Sequence, residues 1–469
     1  MPSMAFTIRH YTGKIYKTAL LAVLMMCVII TAAHEAAAQR KAPTIIRDTE
    51  IENILREWAA PLYQVANIGP NTVNIIIVQD NALNAFVAGG ANIFLYTGLI
   101  ESTDTPGELL GVMAHELGHV TGGHLIAGRD AMERASYESM LGTIIGVGAA
   151  ILSGQGGAAG AIGGGASSMA AARYLSHSRV VESSADQAAL TYLEDAKMTP
   201  DGLVSFMEKL ESEELLPASR QSEYVRTHPL TSNRINALRR RAESSPYKDK
   251  AFAPSWMEQH ARMKAKLIAF ISPGRVAWEY DDRDKSIAAE YARTIAHYRE
   301  NRVQEAIESI NELIAAEPDN PYFHELKGQM LVEFGRVNEG LPAYERAVEI
   351  APDAALIRIA LAHGLIESRG NEAIKLEEAI EHLNRALKGE PRSTRAYRLL
   401  ATAHGRLGRE DIAKLYLAEE ALLQRRFSYA KMQANAALQS FPENSREWLK
   451  AKDILAYIET LPEKARLEN

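Results

Sequence analysis

The chain has 469 residues, of which 47% are hydrophobic and 24% are charged, and its formal net charge is −7. This is the composition of an ordinary globular protein, and the length predicts two or three domains. The chain has no basic tract of the kind that binds a phosphate backbone, which excludes nucleic acid as an expected partner.

The first 38 residues have the pattern of a Sec-type export signal. Basic residues precede an apolar run at 18–33, and the sequence AAAQ at 36–39 offers a cleavage site after Ala38. The alternative is a retained membrane anchor, but a run of about 16 residues is short of the roughly 20 that a spanning helix needs. We therefore expect an exported protein whose processed chain begins at residue 39.

The single cysteine limits the chemistry of any metal site. Cys27 lies inside the apolar run, and its neighbour Met26 does not fit a lipidation signal. The processed chain then has neither a thiol nor a disulfide, which is compatible with an oxidising compartment. Any metal ion must be held by histidines and carboxylates.

The N-terminal domain is predicted to begin with an amphipathic helix at 45–67, followed by a small sheet or hairpin. Turn residues separate three short β-type runs: NIIIVQD at 74–80, NAFVAGG at 84–90 and NIFLYTG at 92–98. Thr105, Pro106 and Glu108 then form a capping-box pattern with proline at the first helical position, which predicts the start of a helix.

This helix carries the motif H-E-x-x-H, formed by His115, Glu116 and His119. Residues four apart share a helix face, with Cβ atoms about 5–6 Å apart, so two imidazoles can bind one zinc ion. Glu116 is rotated by about 100° from His115 and lies beside the metal. There it can accept a proton from the attacking water and pass it to the leaving amine. The alternative is a helix with two structural histidines.

A catalytic zinc site needs a third protein ligand and leaves the fourth position for water. His124 is one residue short of the metzincin spacing, so we expect it to contact solvent or a neighbouring group. Glu182 and Asp186 are four apart on a predicted helix at 176–194 and would share a face. We predict Glu182 as the third ligand and Asp186 as the acceptor for the other N–H of a ligand histidine. Alone, such a pair is more often a solvated face.

The segment 139–172 has no charged side chain and contains ten glycines. We interpret it as a flexible loop or a buried helix pair. The alternative is a segment that contacts lipid or an apolar substrate, because uncharged apolar surface is rarely exposed without purpose. An integral membrane protease would also depend on this segment.

The C-terminal part is repetitive. Further helices are expected at 200–216, 231–243 and 254–270. Beyond them, prolines at 318, 352, 391 and 442 each follow a helical stretch, and a period near 34 is the signature of tetratricopeptide repeats. About four repeats and a capping helix fit 286–460. Such arrays are usually concave binding surfaces, so a protein or peptide partner is expected.

Three motifs together resemble the HtpX-like and CAAX-prenyl-protease-like gluzincin family. They are HELGH, the downstream SRVVESSAD and the later THPLTSNR at 227–234. NAFVAGGANIFLYTGLI at 84–100 is similar to the family's N-terminal strand, although the family often has proline where Ala88 stands. The resemblance implies one zinc ion per chain on His115, His119 and Glu182, with Glu116 as the general base and Asp186 orienting a ligand.

His228 and Arg234 match the H-P-x-x-x-x-R element of that family. The resemblance leaves two roles for His228: it stabilises the tetrahedral oxyanion, or it takes the fourth zinc position and holds the enzyme latent. Arg234 would orient Asp186 through a charge-assisted hydrogen bond, and the alternative is an exposed helix arginine.

We therefore predict a mainly α-helical protein: a gluzincin-type α+β metallopeptidase domain with a small sheet, followed by an α–α tetratricopeptide solenoid. The predicted parts are a signal peptide at 1–38, the peptidase at 39–247, a connector at 248–285 and the repeats at 286–469. An edge strand at 84–90 or 92–98 would let an extended substrate add to the sheet.

The expected function is that of a periplasmic zinc endopeptidase that degrades misfolded or stalled envelope proteins. The resemblance implies that the clients are outer-membrane β-barrel precursors and that the array contacts the outer-membrane assembly machinery. The alternative is a chaperone or assembly factor with latent protease activity. Peripheral membrane contact would come from 139–172.

Overall fold

The computed structural model describes residues 44–70, 72–88, 90–124, 179–217, 220–370 and 372–463. The predicted signal at 1–38 and the glycine-rich segment at 139–172 lie outside these residues, as does the membrane contact expected from that segment. Within the described ranges, no helix combines the length and the apolar character needed to cross a membrane.

The first element is a short strand that the sequence analysis did not predict. Strand β1 (Thr44–Ile46) precedes helix α1 (Thr49–Val65). The side chain of Asp48 caps this helix by accepting a 2.9 Å hydrogen bond from the Ile51 amide. The helix predicted at 45–67 was therefore wrong at its start, because the capping aspartate places its first turn at residue 49.

The predicted small sheet is present and has four strands. Strands β2 (Asn74–Gln79), β3 (Ala85–Ala88) and β4 (Asn92–Tyr96) join β1 in the order β1-β2-β4-β3. β3 and β4 form an antiparallel hairpin, whereas β2 and β4 are parallel. β3 is therefore an edge strand among the described residues, and β4 lies inside the sheet.

Beneath the sheet lie α2 (Thr97–Ser102) and the motif helix α3 (Pro106–Thr121). The Thr105 hydroxyl accepts a 3.2 Å hydrogen bond from the Glu108 amide, as the capping pattern predicted. The Glu108 carboxylate accepts a 2.7 Å hydrogen bond from the Asp104 amide. In a standard capping box the donor would be the amide of the N-cap residue, Thr105. α3 is buried from Pro106 to His119 and forms the centre of the domain core.

The remaining peptidase helices pack around α3. They are α4 at 179–195, α5 (Asp201–Lys209), α6 (Glu223–Thr227) and α7 (Ser232–Glu243). The helix predicted at 200–216 ends at Lys209, and Glu211–Leu215 continues as a 3₁₀ turn. Two glycines allow close packing: a Cβ at Gly111 would lie 2.7 Å from the Leu203 backbone, and one at Gly118 would lie 2.8 Å from the Ala185 carbonyl oxygen.

Helix α8 (Pro254–Ile271) belongs to two cores. Met263 and Leu267 pack into the peptidase core, whereas Ala265 and Ile268 pack with the first repeat helices. α9 (Val276–Glu279) follows as a single turn. The segment predicted as a connector thus contains a helix that each domain uses as part of its interior.

The repeat array consists of antiparallel helix pairs. Between residues 287 and 460, the described residues form α10 (Ile287–Arg299), α11 (Val303–Ala316), α12 (Pro321–Glu333), α13 (Val337–Ile350), α14 (Ala355–Glu367), α15 (Glu372–Gly389), α16 (Thr394–Arg406), α17 (Glu410–Leu423), α18 (Phe427–Leu438) and α19 (Arg446–Thr460). These ten helices are one more than four repeats and a capping helix would have. Left-handed residues such as Asn301 and Gly335 connect the helices within pairs.

Buried charges join the two domains. Lys266 on α8 lies 2.7 Å from Asp48 and 3.2 Å from Glu50, both at the start of α1. The hydroxyl of Tyr291, on the first repeat helix, donates to Glu50 at 3.0 Å. Glu50, Lys266 and Tyr291 are buried together, so a carboxylate at the start of the peptidase domain takes one of its hydrogen bonds from the array.

Candidate metal centre

Four side chains from two helices and the loop after α6 converge on one point. His115 and His119 on α3, Glu182 on α4 and His228 after α6 each offer one ligand atom, and these atoms lie within 4.8 Å of one another. All four side chains are buried. The helical spacing of four residues therefore does what the motif predicted: it turns two imidazoles toward a common point.

Five of the separations between candidate ligand atoms lie between 3.1 Å and 3.6 Å. His119 Nε2 and Glu182 Oε2 lie 3.1 Å and 3.3 Å from His115 Nε2. Glu182 Oε1 lies 3.6 Å from His119 Nε2. His228 Nδ1 lies 3.1 Å from Glu182 Oε2 and 3.4 Å from His115 Nε2. Ligand atoms at about 2.0–2.1 Å from a tetrahedral ion are separated by roughly 3.3 Å, so this set fits such an ion.

Asp186 and Arg234 support His115 on the side that faces away from the ligand cluster. Asp186 Oδ1 lies 3.0 Å from His115 Nδ1, the nitrogen that faces away from the ligand cluster. Arg234 donates to both oxygens of Asp186, at 2.7 Å and 2.9 Å, and to the Pro229 carbonyl at 2.7 Å. Arg234 is buried, so the alternative of an exposed helix arginine was wrong. This bidentate contact restricts the carboxylate, and through it the His115 ring.

Glu116 is buried beside the cluster. Neither of its carboxylate oxygens accepts a hydrogen bond from a described residue. The Nε2 atom of His228 lies 3.4 Å from Glu116 Oε1. Burial raises the pKa of Glu116, while the nearby His228 and His115 act in the opposite direction. A buried carboxylate with unused acceptor positions can take a proton from a reacting molecule.

The electrostatics of the ligand set favour a cation. Burial lowers the pKa of His115, but the carboxylates of Asp186 and Glu182 outweigh that effect and raise it to about 10. Burial and the positive charge at His115 lower the pKa of His119 to about 2. The cluster thus holds a positive charge next to a neutral imidazole, and a metal cation can replace the proton.

His228 bridges the ligand cluster and the edge of the sheet. Its Nδ1 faces Glu182, and its Nε2 lies 3.3 Å from the Ala85 carbonyl oxygen on β3. Tyr224 packs on the His228 ring with centroids 4.7 Å apart, and its own amide donates to the Leu83 carbonyl at 3.0 Å. The sequence analysis missed Tyr224, although its spacing of four residues before His228 was a usable signal.

His124, the alternative third ligand, lies outside the cluster. Its Nδ1 is 3.1 Å from His119 Nδ1, the ring nitrogen opposite the one that faces the other ligands. The structure therefore places His124 as a neighbour of a candidate ligand. This placement agrees with the expectation that it contacts a neighbouring group.

Comparison with known proteins identifies the class of this site. Residues 46–242 match the model of peptidase family M48, and residues 291–355 match a tetratricopeptide repeat model. The chain therefore has a metallopeptidase domain of peptidase family M48, followed by tetratricopeptide repeats. This confirms the predicted fold class and the expectation that the protein is a metalloprotease.

Several known proteins are similar to parts of this chain. The chain is 25% identical over 382 residues to the β-barrel assembly-enhancing protease of Escherichia coli K12, and the match covers 79% of this chain and 75% of that protein. It is 30% identical over 194 residues to the metalloprotease YcaL of the same organism, covering 38% of this chain and 65% of YcaL. The tetratricopeptide protein YrrB aligns with a TM-score of 0.31 and 18% identity, covering 38% of this chain and 91% of YrrB.

Proposed function

We propose that this protein is a periplasmic zinc endopeptidase that cleaves unfolded or stalled outer-membrane β-barrel precursors. The convergence of His115, His119, Glu182 and His228 around one point, with Glu116 beside it, carries the proposal. We propose a peptidase domain at 39–247, a connector at 248–285 and repeats at 286–469. The export signal predicted at 1–38 supports the periplasmic location.

The donor chemistry supports zinc as the metal. Imidazole nitrogens and a carboxylate oxygen are zinc ligands, and no thiolate is available beyond Cys27. The separations of 3.1–3.6 Å between neighbouring ligand atoms fit the edges of a zinc tetrahedron. We assign His115, His119 and Glu182 as the zinc ligands, with one ion per chain.

The remaining residues have distinct tasks. A bound zinc ion would polarise the attacking water and the scissile carbonyl. Glu116 takes the proton from that water and delivers it to the leaving amine. Asp186 holds the His115 ring, and Arg234 holds Asp186. These contacts keep the ligand geometry fixed while the proton moves.

The substrate class is supported by three observations. One relative is a protease that enhances β-barrel assembly. The edge strand β3 lies next to the candidate site, where the sequence analysis expected an extended substrate to add to the sheet. The repeat array offers a second surface for polypeptide binding, and we propose that it contacts the outer-membrane assembly machinery.

Cleavage of an unfolded β-barrel precursor by the purified exported protein tests the proposal. The control is Glu116→Gln, which keeps the size of the side chain but cannot accept the proton. We expect cleavage by the wild-type protein and a loss of at least about 100-fold in the control, since general-base catalysis contributes about 10²–10⁴-fold. Equal cleavage by both proteins would exclude Glu116 as the base and indicate a contaminating protease.

The position of His228 favours a second candidate function, an assembly factor whose protease activity is latent. His228 Nδ1 lies among the ligand atoms, at the place that a tetrahedral catalytic site reserves for water. A fourth protein ligand would close the site. The array would then bind client proteins, and proteolysis would begin only after His228 had left the fourth position.

His228→Ala separates the two roles of this side chain. A latent enzyme should cleave the unfolded precursor faster than wild type, because the fourth position becomes open to water. An enzyme that uses His228 to stabilise the oxyanion should lose about 100-fold or more in kcat. Zinc content measured on the same samples shows whether either change reflects metal loss.

A further inference from the structure

A cavity of about 490 Å³ lies between the repeat array and the start of the peptidase domain. Its array side is formed by α12, α13, α14 and the turn into α16, and its other side is formed by Arg47, Asp48 and Thr49. Arg47 joins the two sides, because it donates to Glu390 at 2.6 Å and 3.1 Å. A volume of this size is typical of sites that bind ligands.

The floor of the cavity is apolar. Side chains from three successive repeat helices form it: Val332, Tyr344, Leu356, Ile359 and Ala360. Val332, Leu356 and Ala360 are only half-buried, so part of this apolar surface is open to the cavity. An apolar side chain that entered the cavity would remove this surface from water, which favours binding.

Two arginines at the turn into α16 line the cavity without an acidic partner. Arg392 and Arg395 form no ion pair with any residue in the part of the chain that the structure describes. Arg395 Nη2 lies 3.5 Å from Nδ1 of His363, and burial and this arginine lower the pKa of His363 and keep it neutral. Glu390, the nearest acidic residue in the sequence, is bonded to Arg47 instead. The guanidinium donors are therefore available to an anionic group.

The acidic residues that line the cavity do not neutralise these arginines. Asp48 pairs with Lys266 at 2.7 Å. Burial raises the pKa of Glu325 to about 8, so this carboxyl group is neutral at pH 7. Glu333 accepts a hydrogen bond from the hydroxyl of Tyr298. The cavity thus combines an apolar floor with two unpaired positive charges on one wall.

We propose that this cavity binds the C-terminal end of a polypeptide, with the terminal carboxylate on Arg392 and Arg395 and an apolar last side chain on the floor. Arginine donates to a carboxylate through two parallel N–H groups. A chain end suits the cavity better than a continuous chain, because the start of the peptidase domain and the bridge from Arg47 to Glu390 close one side. The inference rests on the proposed function, in which the array binds polypeptide, and it names the feature that the array recognises.

Peptide binding to the full chain carrying Glu116→Gln tests this inference without cleavage. The probes are short fluorescent peptides built on one uncharged glycine–serine sequence. The first ends in leucine with a free carboxylate, the second ends in the same leucine as an amide, and the third ends in serine with a free carboxylate. We expect the first to bind about 10-fold more tightly than the second, since two partly exposed ion pairs contribute about 3-fold each. It should also bind more tightly than the third, because only leucine buries the apolar floor.

Arg392→Gln combined with Arg395→Gln should reduce the preference for the free carboxylate to about 2-fold or less and leave the amidated peptide unchanged. The matched control is Arg299→Gln combined with Arg385→Gln, which changes the net charge equally at two exposed repeat arginines outside the cavity. It should keep the preference. All four side chains are exposed, so both double variants should fold, and their melting temperatures check this.

Two results would overturn the inference. The first is a carboxylate preference that survives the loss of Arg392 and Arg395, or that the control loses to the same extent. The second is equally tight binding of an amidated peptide with an internal glutamate, which would show that the site recognises a side-chain carboxylate. Failure of the wild-type protein to cleave an unfolded precursor would instead count against the proposed protease activity, which this binding measurement does not use.

Discussion

The carboxylate of Asp186 contacts a candidate ligand on one side and a buried arginine on the other. Its Oδ1 lies 3.0 Å from His115 Nδ1, and Arg234 donates to both of its oxygens. Burial raises the pKa of Asp186, but the contacts with Arg234 and His115 outweigh that effect and lower it. Asp186 therefore stays ionised and keeps the ring of His115 in one orientation.

Asp186→Asn should weaken zinc binding by about 10- to 100-fold, the usual cost of losing such a partner. The amide keeps the size of the side chain but loses the charge that orients His115. Competition with a chromophoric chelator measures the affinity. Asp201→Asn, at an exposed helix start, is the control and should bind zinc like the wild-type protein. If Asp186→Asn bound zinc with unchanged affinity, Asp186 would not contribute to zinc binding.

Motif spacing predicted which residues converge, because a spacing of four on a helix has one geometric meaning. It predicted that His115 and His119 converge and that Glu182 and Asp186 share a face, whereas the place of Glu182 beside the histidines was inferred from the need for a third ligand. It could not predict that the Ala85 carbonyl contacts His228, since a backbone group has no sequence signature. Spacing already argued against His124 as the third ligand, and the structure agrees, because His124 contacts the outer nitrogen of His119.

At the scale of elements, glycines on α3 determine how closely its neighbours approach. A Cβ at Gly118 would lie 2.8 Å from the Ala185 carbonyl oxygen on α4, the helix that carries Glu182. The two ligand-bearing helices can thus approach this closely because residue 118 is a glycine and has no Cβ. Helical periodicity predicted both helices, but the parallel pairing of β2 and β4 is non-local and was not predicted.

Gly118→Ala should push α4 away from α3 and so displace Glu182 from the two histidines. We expect a loss of about 1–3 kcal/mol in the free energy of unfolding, together with weaker zinc binding. Urea unfolding and chelator competition measure the two effects. Gly405→Ala, in a repeat helix where the nearest atom is 3.9 Å away, is the matched control and should not destabilise the protein. If Gly118→Ala bound zinc with wild-type affinity, the close approach of α4 to α3 would not be needed to position Glu182.

At the scale of the whole molecule, the peptidase and the array share α8 and a group of buried charges. Arg47 also donates to Glu390 at 2.6 Å and 3.1 Å, across a separation of 343 residues. Near these contacts, burial raises the pKa of Glu325 on α12 to about 8, against the opposing effect of Lys266. Composition and repeats predicted both domains, but contacts between such distant residues leave no periodic signal.

Glu325 should make stability fall as the pH rises from about 4.5 to about 8. In this window the unfolded chain releases the proton of Glu325 while the folded protein retains it, so rising pH favours unfolding. Glu325→Gln has no proton to release. Its melting temperature relative to wild type should therefore be higher at pH 8 than at pH 5, by about 2–4 °C. The exposed Glu312→Gln is the control, and a difference independent of pH would contradict the assignment.

Zinc content of the purified full chain tests the central claim most directly. Inductively coupled plasma mass spectrometry should find one zinc per chain in the wild-type protein, and less than about one tenth of that in Glu182→Ala, because a site that loses a ligand binds zinc weakly. His124→Ala should retain zinc, because His124 Nδ1 faces the outer nitrogen of His119. Zinc retained in Glu182→Ala and lost in His124→Ala would contradict the account and make His124 the third ligand.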